Sequence, residues 1–299
     1  PALTFDSTVF PVVNVIDLRS FTLIREARLG LDTADRPINM PFALALDRFA
    51  ERVYVINAGS NDLSVISLQT GQALGHLELK SNPRGVVLNR DSSLVYIYNA
   101  FDGVVQILAT RDLRLTDDLP VTSIATPVDE LLAMQMFYGA DQAALSADSW
   151  LSCANCHFDG LSDGRVWQGF PGGPRNTPVL FGLNASAPYN WSATWSDLSQ
   201  LDEKIHWLQA GTGLADEQST GSLLDIRLLV DYLTDVPAPT TSPNSYDSAV
   251  IEAGRLLFEA QGCADCHTGD AGIDGLMHDV DTGGSFDTPT LRWLWSSAP

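Results

Sequence analysis

The stretch PFALALDRFAERVYVINAGSNDLSVISL at residues 41–68 decides the fold of the first part of the chain, because it recurs as PRGVVLNRDSSLVYIYNAFDGVVQILAT at residues 83–110. The offset is 42 residues, from Pro41 to Pro83. In each copy, short runs rich in Val, Ile and Tyr alternate with Gly, Asn and Asp, which is typical of short strands joined by tight turns. A repeat of about 40–45 residues holding several strands is typical of β-propeller blades.

Two further features support the propeller interpretation. An earlier partial copy ends in Val13–Leu18, and the tetrapeptides at 54–57 and 96–99 resemble the Tyr-Val-Thr-Asn repeat of bacterial surface-layer-type propellers. We therefore predict a partial β-propeller of two to three blades over residues 1–125; a small β-sandwich or meander is the alternative. So few blades cannot close a ring, so we expect missing blades before Pro1 or an open sheet that needs a partner.

Charge and hydropathy exclude several classes of protein. The 299 residues include 17 basic and 37 acidic side chains, for a formal charge of −20. Nucleic acids and anionic lipids attract clustered basic residues, so neither is an expected partner. No apolar run of about 18 residues predicts a membrane span. The length favours two or more domains. The chain starts without Met or a signal peptide, and we expect a fragment truncated at both ends.

Beyond the predicted propeller, apolar residues recur at helical spacing. Helices are predicted near 129–138 and 225–232, and Asp247 is predicted to cap a third. The predicted fold class is therefore multidomain: an all-β partial propeller followed by mainly α-helical tandem cytochrome c domains. Their predicted bounds are 126–238 for the first, which would hold the candidate peroxidatic haem, and 239–299 for the second, truncated domain.

All four cysteines of the chain lie in two Cys-x-x-Cys-His pentapeptides. This spacing is the attachment signature of c-type haem, since two thiols one helical turn apart can form thioethers to the two vinyl groups and the next histidine reaches the iron. We therefore predict two covalently attached haem c groups. His157 and His267 are the predicted proximal iron ligands. The predicted cofactor-binding residues are Cys153, Cys156, His157, Cys263, Cys266 and His267.

Other uses of Cys-x-x-Cys pairs remain as alternatives. One pair could be a thioredoxin-like redox site or half of a zinc site. A zinc site shared by both pairs is disfavoured, because Cys156 and Cys263 are 107 positions apart (263 − 156) and both histidines would be left without a role. Covalent haem attachment takes place outside the cytoplasm, so we expect a bacterial periplasmic or otherwise extracytoplasmic protein.

The second half of the chain also repeats. Cys153 and Cys263 are 110 positions apart (263 − 153), and Thr177-Pro178 matches Thr288-Pro289 at an offset of 111 (288 − 177). Residues 127–299 resemble the bacterial di-haem cytochrome c peroxidase family, which includes the methylamine-utilisation di-haem oxidases. The stretches that carry this resemblance are 145–153, 175–178, 187–189, 211–214 and 285–292.

The resemblance implies a division of labour between the two haems. The haem of the first motif would be the peroxidatic centre, and the haem of the second would receive electrons. A tryptophan between the haems of the family matches Trp191, which would relay electrons; in isolation it would be a core or interface residue. The predicted function is thus a di-haem c-type cytochrome that acts as a peroxidase-like oxidoreductase.

The sequence departs from the family around the first haem. Arg165 stands where the family has a histidine that can cap the iron; arginine cannot donate a lone pair, but it could hydrogen-bond a bound peroxide. The segment at 191–194 lacks the family's aspartate and arginine. Glu203 is the candidate acid–base group. The alternatives are a surface or propionate-pairing arginine and a solvated helix glutamate.

Two further metal positions follow from the resemblance. The second iron usually receives a methionine from later sequence, so Met277 is only a fallback ligand, and the family's histidine at the place of His278 is not a ligand. The family holds calcium at positions that match Asn176, Asp287 and the carbonyl of Pro289, and oxygen ligands suit that ion. Alternatively, Asn176 and Asp287 only stabilise their turns.

Two other functions compete with peroxidase activity. The chain could be a non-catalytic electron-transfer cytochrome, or a binding module whose propeller recognises a protein or surface component while the haems serve as electron wires. The acidic charge predicts a cationic redox partner, such as a small cationic cytochrome c or a cupredoxin.

Overall fold

The computed structural model describes residues 9–170, 173–214, 225–235, 245–281 and 284–297. Internal contacts divide the chain into two compact units. One unit consists of Val9–Asn155 and Asp202–Leu229, and the other contains Cys156–Leu201 and the described residues from Val230 onward.

The regular β-structure lies mainly in two four-stranded antiparallel sheets of the first unit. The strands are β1 (Val12–Val13), β2 (Ile16–Asp17), β3 (Thr22–Leu23), β4 (Leu29–Gly30), β5 (Pro41–Asp47), β6 (Arg52–Asn57), β7 (Asp62–Ser67), β8 (Ala73–Glu78), β9 (Pro83–Leu88), β10 (Leu94–Asn99), β11 (Val104–Ala109), β12 (Arg114–Pro120), β13 (Val166–Trp167), β14 (Arg175–Asn176), β15 (Met277–Asp279) and β16 (Ser285–Asp287). The helices are α1 (Leu31–Ala34), α2 (Val128–Tyr138), α3 (Asp202–Leu208), α4 (Ile226–Asp235), α5 (Ser248–Ala260) and α6 (Leu294–Ser297).

The first blade (β5–β8) and the second blade (β9–β12) are meanders in which each strand pairs with its neighbours in sequence. β10 begins 42 residues after β6 (94 − 52), as the sequence repeat requires. β5, the first strand of one blade, contacts β9, the first strand of the other. This radial arrangement of two meanders is that of adjacent propeller blades, so the prediction of a partial β-propeller is confirmed at this level.

Apolar side chains from both blades share one core. Because strand residues alternate between faces, every second residue of β6 and β10 points to this core. The eight buried residues of the cluster are Ala45, Tyr54, Ile56, Leu63, Val65, Val95, Ile97 and Leu108. Each fully buried Val, Leu or Ile side chain contributes about 1.5–3 kcal/mol, so the contact between blades is a main source of stability in this unit.

The other face of the first blade is covered by the segment before it. The short strands β1 and β4 pair with each other, and α1 places Leu31 and Ala34 against Val53 and Val55 of β6. The partial copy at Val13–Leu18 lies in the two-stranded pairs β1–β4 and β2–β3. The described part of this segment therefore covers the first blade without forming a four-stranded sheet of its own.

α2 is anchored to the blades by aromatic and cationic contacts. Its last residue, Tyr138, packs edge-on against Phe101 with ring centroids 5.7 Å apart. The Arg84 guanidinium lies 4.6 Å from the centre of the Phe42 ring and 5.0 Å from that of Tyr138. Such cation–π contacts add to the apolar packing. The helix predicted at 129–138 is confirmed by Val128–Tyr138.

The predicted fold class is wrong in its second half, because the chain does not form mainly α-helical tandem cytochrome c domains. The described residues contain six short α-helices, the longest with 13 residues. Between Cys156 and Leu201 the described residues form turns, 3-10 helices and two-residue strands. This region is rich in Gly, Pro, Asn and Ser, which favour turns over helices. The helical patterns were correct locally, but they extend over too little of the chain.

Two of those local predictions are confirmed. The helix expected near 225–232 is Ile226–Asp235. Asp247 caps α5, since its carboxylate accepts a hydrogen bond from the Ala249 N–H at 2.8 Å. In the described ranges, every helix is too short or too polar to cross a membrane.

Candidate functional site

The second Cys-x-x-Cys-His motif follows directly after α5. Gly262, with a φ of 74°, ends the helix in the left-handed conformation that glycine adopts without strain. A 3-10 turn then begins at Cys263, and the His267 N–H donates to the Cys263 carbonyl at 3.1 Å. This turn brings the backbones of Cys263 and His267 together.

The hydrogen bond of the His267 ring fixes which of its nitrogens carries a lone pair. Its Nδ1 lies 3.0 Å from the carbonyl oxygen of Gly272. A carbonyl only accepts hydrogen bonds, so Nδ1 carries the proton and Nε2 of the neutral ring is the acceptor. Metal-bound histidines in proteins are commonly oriented in this way. The ring also packs beside Phe258, with centroids 6.2 Å apart.

A hydrogen-bonded group centred on Asp274 lies after the second motif. One carboxylate oxygen accepts from the Thr288 hydroxyl at 2.7 Å, and the other lies 2.7 Å from Nε2 of His278. The Thr288 hydroxyl is the main cause that lowers the pKa of Asp274 to about 2. Ligand atoms of Cys266, Asp274 and His278 lie within 4.8 Å of one another. Sequence reasoning missed Asp274; its spacing of four residues from His278 was the available signal.

The first motif lies at the point where the two compact units are divided, since Asn155 ends one stretch and Cys156 begins the next. Cys153 starts a 3-10 turn in the unit that contains the blades. Burial raises the pKa of the Cys153 thiol to about 11. Redox-active Cys-x-x-Cys pairs instead have lowered thiol pKa values, which disfavours a thioredoxin-like role. The four cysteines, all within the described residues, form no disulfide.

His157 is held as a neutral imidazole. Burial lowers the pKa of its ring to about 4, and the carbonyl of Pro178 opposes this shift only in part. The Nδ1 atom is buried, and no hydrogen-bond partner for it lies among the described residues. A neutral imidazole is the form that binds metals. The ring is therefore suited to an iron ligand, although a buried nitrogen without a partner is costly in a chain that binds nothing.

Trp191 joins the two Thr-Pro segments of the second repeat. Its indole Nε1 donates to the Asn176 carbonyl at 2.6 Å, and the Asp287 N–H donates to the Trp191 carbonyl at 3.0 Å. Its ring packs edge-on against Phe286 at 6.1 Å. Trp191 thus lies between two of the residues predicted as calcium ligands, Asn176 and Asp287.

Arg175 contacts both Phe286 and Ser192, a residue of the segment 191–194. Its guanidinium lies 4.5 Å from the centre of the Phe286 ring and donates to Ser192 Oγ at 3.0 Å. Ser192 stands where the resemblance expects an aspartate. The contact is therefore a charge-assisted hydrogen bond to a neutral hydroxyl and not an ion pair.

Arg165 and Glu203 both lie at exposed positions. Arg165 is exposed, and its guanidinium lies 5.8 Å from the centre of the Trp167 ring. The Trp167 indole donates to Asp163 at 3.0 Å, and the same aspartate accepts the Arg165 N–H at 2.9 Å. Glu203 is exposed on α3, in the unit that contains the blades, whereas Arg165 and Trp191 belong to the other unit.

The predicted calcium ligands differ in how well they suit a cation. One carboxylate oxygen of Asp287, Oδ1, is buried, and the described residues offer it no hydrogen-bond partner. Burial, with a smaller effect of the nearby Asp274 charge, raises the pKa of Asp287 to about 6. The side chains of Asn176 and Pro289 are exposed. Met277 is also exposed and lies opposite Asp287 in the β15–β16 pair.

Comparisons with known proteins give only distant similarities. No protein-family model and no curated protein matches the chain. Hydrazine synthase of Kuenenia stuttgartiensis is 19% identical over 39% of this chain and 31% of its own, with a TM-score of 0.33. The RRP9 WD40 repeats are 11% identical over 40% of this chain and 37% of their own, with a TM-score of 0.32. Dihydro-heme d1 dehydrogenase NirN is 18% identical over 36% of this chain and 22% of its own, with a TM-score of 0.28.

The chain thus spans less than two-fifths of each of these three structures. These scores and identities are too low to assign the chain to any of those proteins. Its own strand order and 42-residue repeat identify part of a β-propeller, joined to a region that carries two Cys-x-x-Cys-His motifs.

Proposed function

We propose that this protein is an extracytoplasmic di-haem c-type cytochrome that reduces peroxide, with the reaction at the first haem and electron entry at the second. The observation that carries the proposal is the hydrogen bond from His267 Nδ1 to the Gly272 carbonyl, 3.0 Å long. It leaves the lone pair of the neutral ring on Nε2, in a motif that also supplies two thiols. That donor set is the one that c-type haem requires.

The first motif has a compatible donor set. His157 is neutral at physiological pH because burial lowers its pKa to about 4. Iron coordination would stabilise the neutral ring further and make use of an imidazole that is otherwise poorly satisfied. Cys153 and Cys156 would carry the thioether bonds.

A c-type haem held by Cys153, Cys156 and His157 would supply one-electron redox chemistry for the reduction of peroxide. Conversion of hydrogen peroxide to two waters consumes two electrons and two protons. Trp191 would carry electrons between the haems, Arg165 would stabilise charge on the leaving oxygen, and Glu203 would move a proton. Calcium would bind at Asp287 with Asn176 and the Pro289 carbonyl.

Electrons would come from one-electron donors outside the chain. The formal charge of −20 favours a cationic donor, such as a small cytochrome c or a cupredoxin, through long-range steering. Haem attachment would place the protein in the periplasm or another extracytoplasmic compartment. The blades would be available to a protein or surface partner.

The first test is chemical. The full chain is secreted in a bacterial host that matures c-type cytochromes, and its intact mass and pyridine haemochrome spectrum are measured. We expect two haems per chain, and one haem after Cys153 and Cys156 or Cys263 and Cys266 are replaced by serine. A colourless chain with the mass of its amino acids alone would overturn the proposal.

A second measurement separates the enzyme from an electron carrier. A peroxidase has a high-spin ferric haem whose electron paramagnetic resonance and absorption spectra change when peroxide is added. Two low-spin haems that ignore peroxide would identify a carrier. Partner binding that persists when the four motif cysteines are replaced by serine would give the propeller a separate recognition role.

One observation favours a different cofactor at the second motif. The ligand atoms of Cys266, Asp274 and His278 lie within 4.8 Å of one another. A thiolate, a carboxylate and an imidazole are suitable zinc ligands. Metal analysis of the matured chain distinguishes the two: stoichiometric zinc without haem, lost in His278→Ala, supports zinc, whereas haem on Cys266 excludes it because the thiolate is consumed.

A further inference from the structure

The side chain of Asn39, which precedes the first blade, is bonded to the loop that carries Cys153. Asn39 is 1% exposed. Its Nδ2 donates to the Trp150 carbonyl at 3.0 Å and to Asn155 Oδ1 at 2.9 Å, and its Oδ1 accepts from the Ser152 hydroxyl at 3.2 Å. One buried amide thus uses both its donor and its acceptor capacity on three residues of a single loop.

The same loop is closed by its own hydrogen bonds. Asn155 Oδ1 also accepts from the Ser152 N–H at 2.7 Å, and it lies 3.0 Å from the Ser152 hydroxyl, which shares its single proton between Asn155 Oδ1 and Asn39 Oδ1. Cys153 lies between these two bonded residues, and Asn155 is itself a member of the motif. The direction of the first thiol therefore depends on the turn that Asn39 secures.

Comparison of the two blades shows that Asn39 departs from the repeat. The backbone bond from Gly59 N–H to the Asn39 carbonyl, 3.1 Å, corresponds to the bond from Phe101 N–H to the Ser81 carbonyl, 3.4 Å. Both pairs are offset by 42 residues (81 − 39 and 101 − 59). The second blade thus has serine and phenylalanine where the first has asparagine and glycine.

The glycine of this pair is explained by the asparagine. A Cβ atom at Gly59 would overlap the Asn39 side chain. The backbone at Gly59 does not itself require glycine, because no left-handed φ occurs there. The absence of a side chain at Gly59 therefore leaves the space that the Asn39 side chain occupies where it meets the loop.

We propose that Asn39 is the positioning residue for the first haem-attachment loop, holding Ser152–Asn155 in the turn that presents Cys153. This inference rests on the proposed haem chemistry only in its consequence for attachment. The hydrogen bonds between Asn39 and the loop involve only the polypeptide. Asn39 acts through the loop and is not a catalytic residue.

The experiment uses the full chain in two forms, with variants Asn39→Ala, Asn39→Asp and Gly59→Ala. Ser81→Ala is the matched control, since Ser81 is the repeat equivalent of Asn39. Asn39→Asp keeps the shape of the side chain but cannot donate to the Trp150 carbonyl, and it covers the case in which Asn39→Ala does not fold. Circular dichroism confirms folding.

In the haem-free chain, alkylation of each cysteine is followed by peptide mass spectrometry. We expect the rate at Cys153 to rise at least about tenfold in the three test variants, with Cys263 and the Ser81→Ala control unchanged. A tenfold change corresponds to about 1.4 kcal/mol, within the cost of leaving buried polar groups unpaired. An unchanged rate at Cys153 in folded Asn39→Asp would overturn the proposal.

In the matured chain, the same variants should lose haem from the peptide with Cys153 while retaining it on the peptide with Cys263. Any remaining first haem should have an altered electron paramagnetic resonance spectrum. If wild-type chain carries no haem, the proposed function fails while alkylation still decides the role of Asn39. If wild type carries two haems and all variants match it in both assays, the positioning role fails while the proposed function stands.

Discussion

The indole Nε1 of Trp191 donates a hydrogen bond of 2.6 Å to the carbonyl oxygen of Asn176. The backbone of Trp191 in turn accepts the N–H of Asp287. One residue therefore connects the two copies of the Thr-Pro segment through its side chain on one side and its main chain on the other.

Replacement of Trp191 by phenylalanine keeps an aromatic ring beside Phe286 but removes the indole donor. We expect the free energy of unfolding to fall by about 1 kcal/mol, the net value of one hydrogen bond. Electron transfer between the haems should also slow if Trp191 is the relay. Urea denaturation and stopped-flow reduction measure the two effects. Trp207→Phe, at an exposed position, is the control. An equal loss of unfolding free energy and of electron-transfer rate in Trp207→Phe would contradict a specific role for Trp191.

Asp287 makes stability depend on pH. Its pKa is about 6 in the folded chain against a reference value of 3.8, so the folded state binds the proton more tightly than the unfolded state. That contribution is fully present below about pH 4 and is lost as the pH rises through about 6. Asp287→Asn should therefore be more stable than wild type by about 1 kcal/mol near pH 7.5, after allowance for solvent screening.

Chemical denaturation in calcium-free buffer at several pH values tests this expectation. The two proteins should converge near pH 4. A difference that is constant with pH would show that the carboxylate is not the cause.

Calcium should reverse the penalty at Asp287 if the ion binds there. Wild type should gain stability with added Ca²⁺, by about 2.7 kcal/mol at 100 times the dissociation constant, and Asp287→Asn should gain none. Thermal unfolding with and without Ca²⁺ reports the effect, with Mg²⁺ as the control ion. Equal gains in both proteins would place the calcium effect elsewhere.

The packing of the two blades predicts a large loss from one core substitution. Ile97 is completely buried between the blades, and Ile97→Ala should lower the free energy of unfolding by about 2–5 kcal/mol. Val87→Ala on the same blade is the control, because Val87 is 59% exposed and should change stability by less than about 0.5 kcal/mol. Similar losses at both positions would contradict the arrangement of the blades.

The acidic surface predicts that oxidation of a cationic donor slows with salt. The screening length falls from about 30 Å at 0.01 M to about 10 Å at 0.1 M ionic strength, and the second-order rate should fall at least about tenfold. Stopped-flow measurements with a basic and an acidic cytochrome c of matched potential provide the test. A rate that does not vary with ionic strength for the basic donor would exclude steering.

The sequence predicted the blades well because their information is local. Strand alternation, turn residues and a 42-residue repeat are all visible in residues 41–110. The helical fold class failed because three short segments with helical spacing were extended to the loops between them. In those loops, tertiary contacts such as the Trp191 bonds to Asn176 and Asp287 determine the conformation, and no periodic pattern reports them.

Prediction of the candidate site was similarly divided. The two pentapeptides are contiguous, so their residues could be proposed from spacing alone. Asp274 and Asn39 act through partners far along the chain: Thr288 lies 14 residues from Asp274, and Trp150 lies 111 from Asn39. Such long-range pairs leave no periodic signal in a single sequence. The sequence signals that were available are the break in the repeat at Asn39 and Gly59 and the four-residue spacing of Asp274 from His278.

The pair Asn39 and Gly59 means that the two blades are not interchangeable modules. A chimera that replaces residues 39–68 with a copy of 81–110 would preserve strand pattern, length and turn chemistry. It would nevertheless place serine at position 39 and phenylalanine at position 59. We expect the strands of both blades to form, but the hydrogen bonds that hold the Cys153 loop would be lost. The two blades therefore share a strand pattern, and the side chains at positions 39 and 59 distinguish the first from the second.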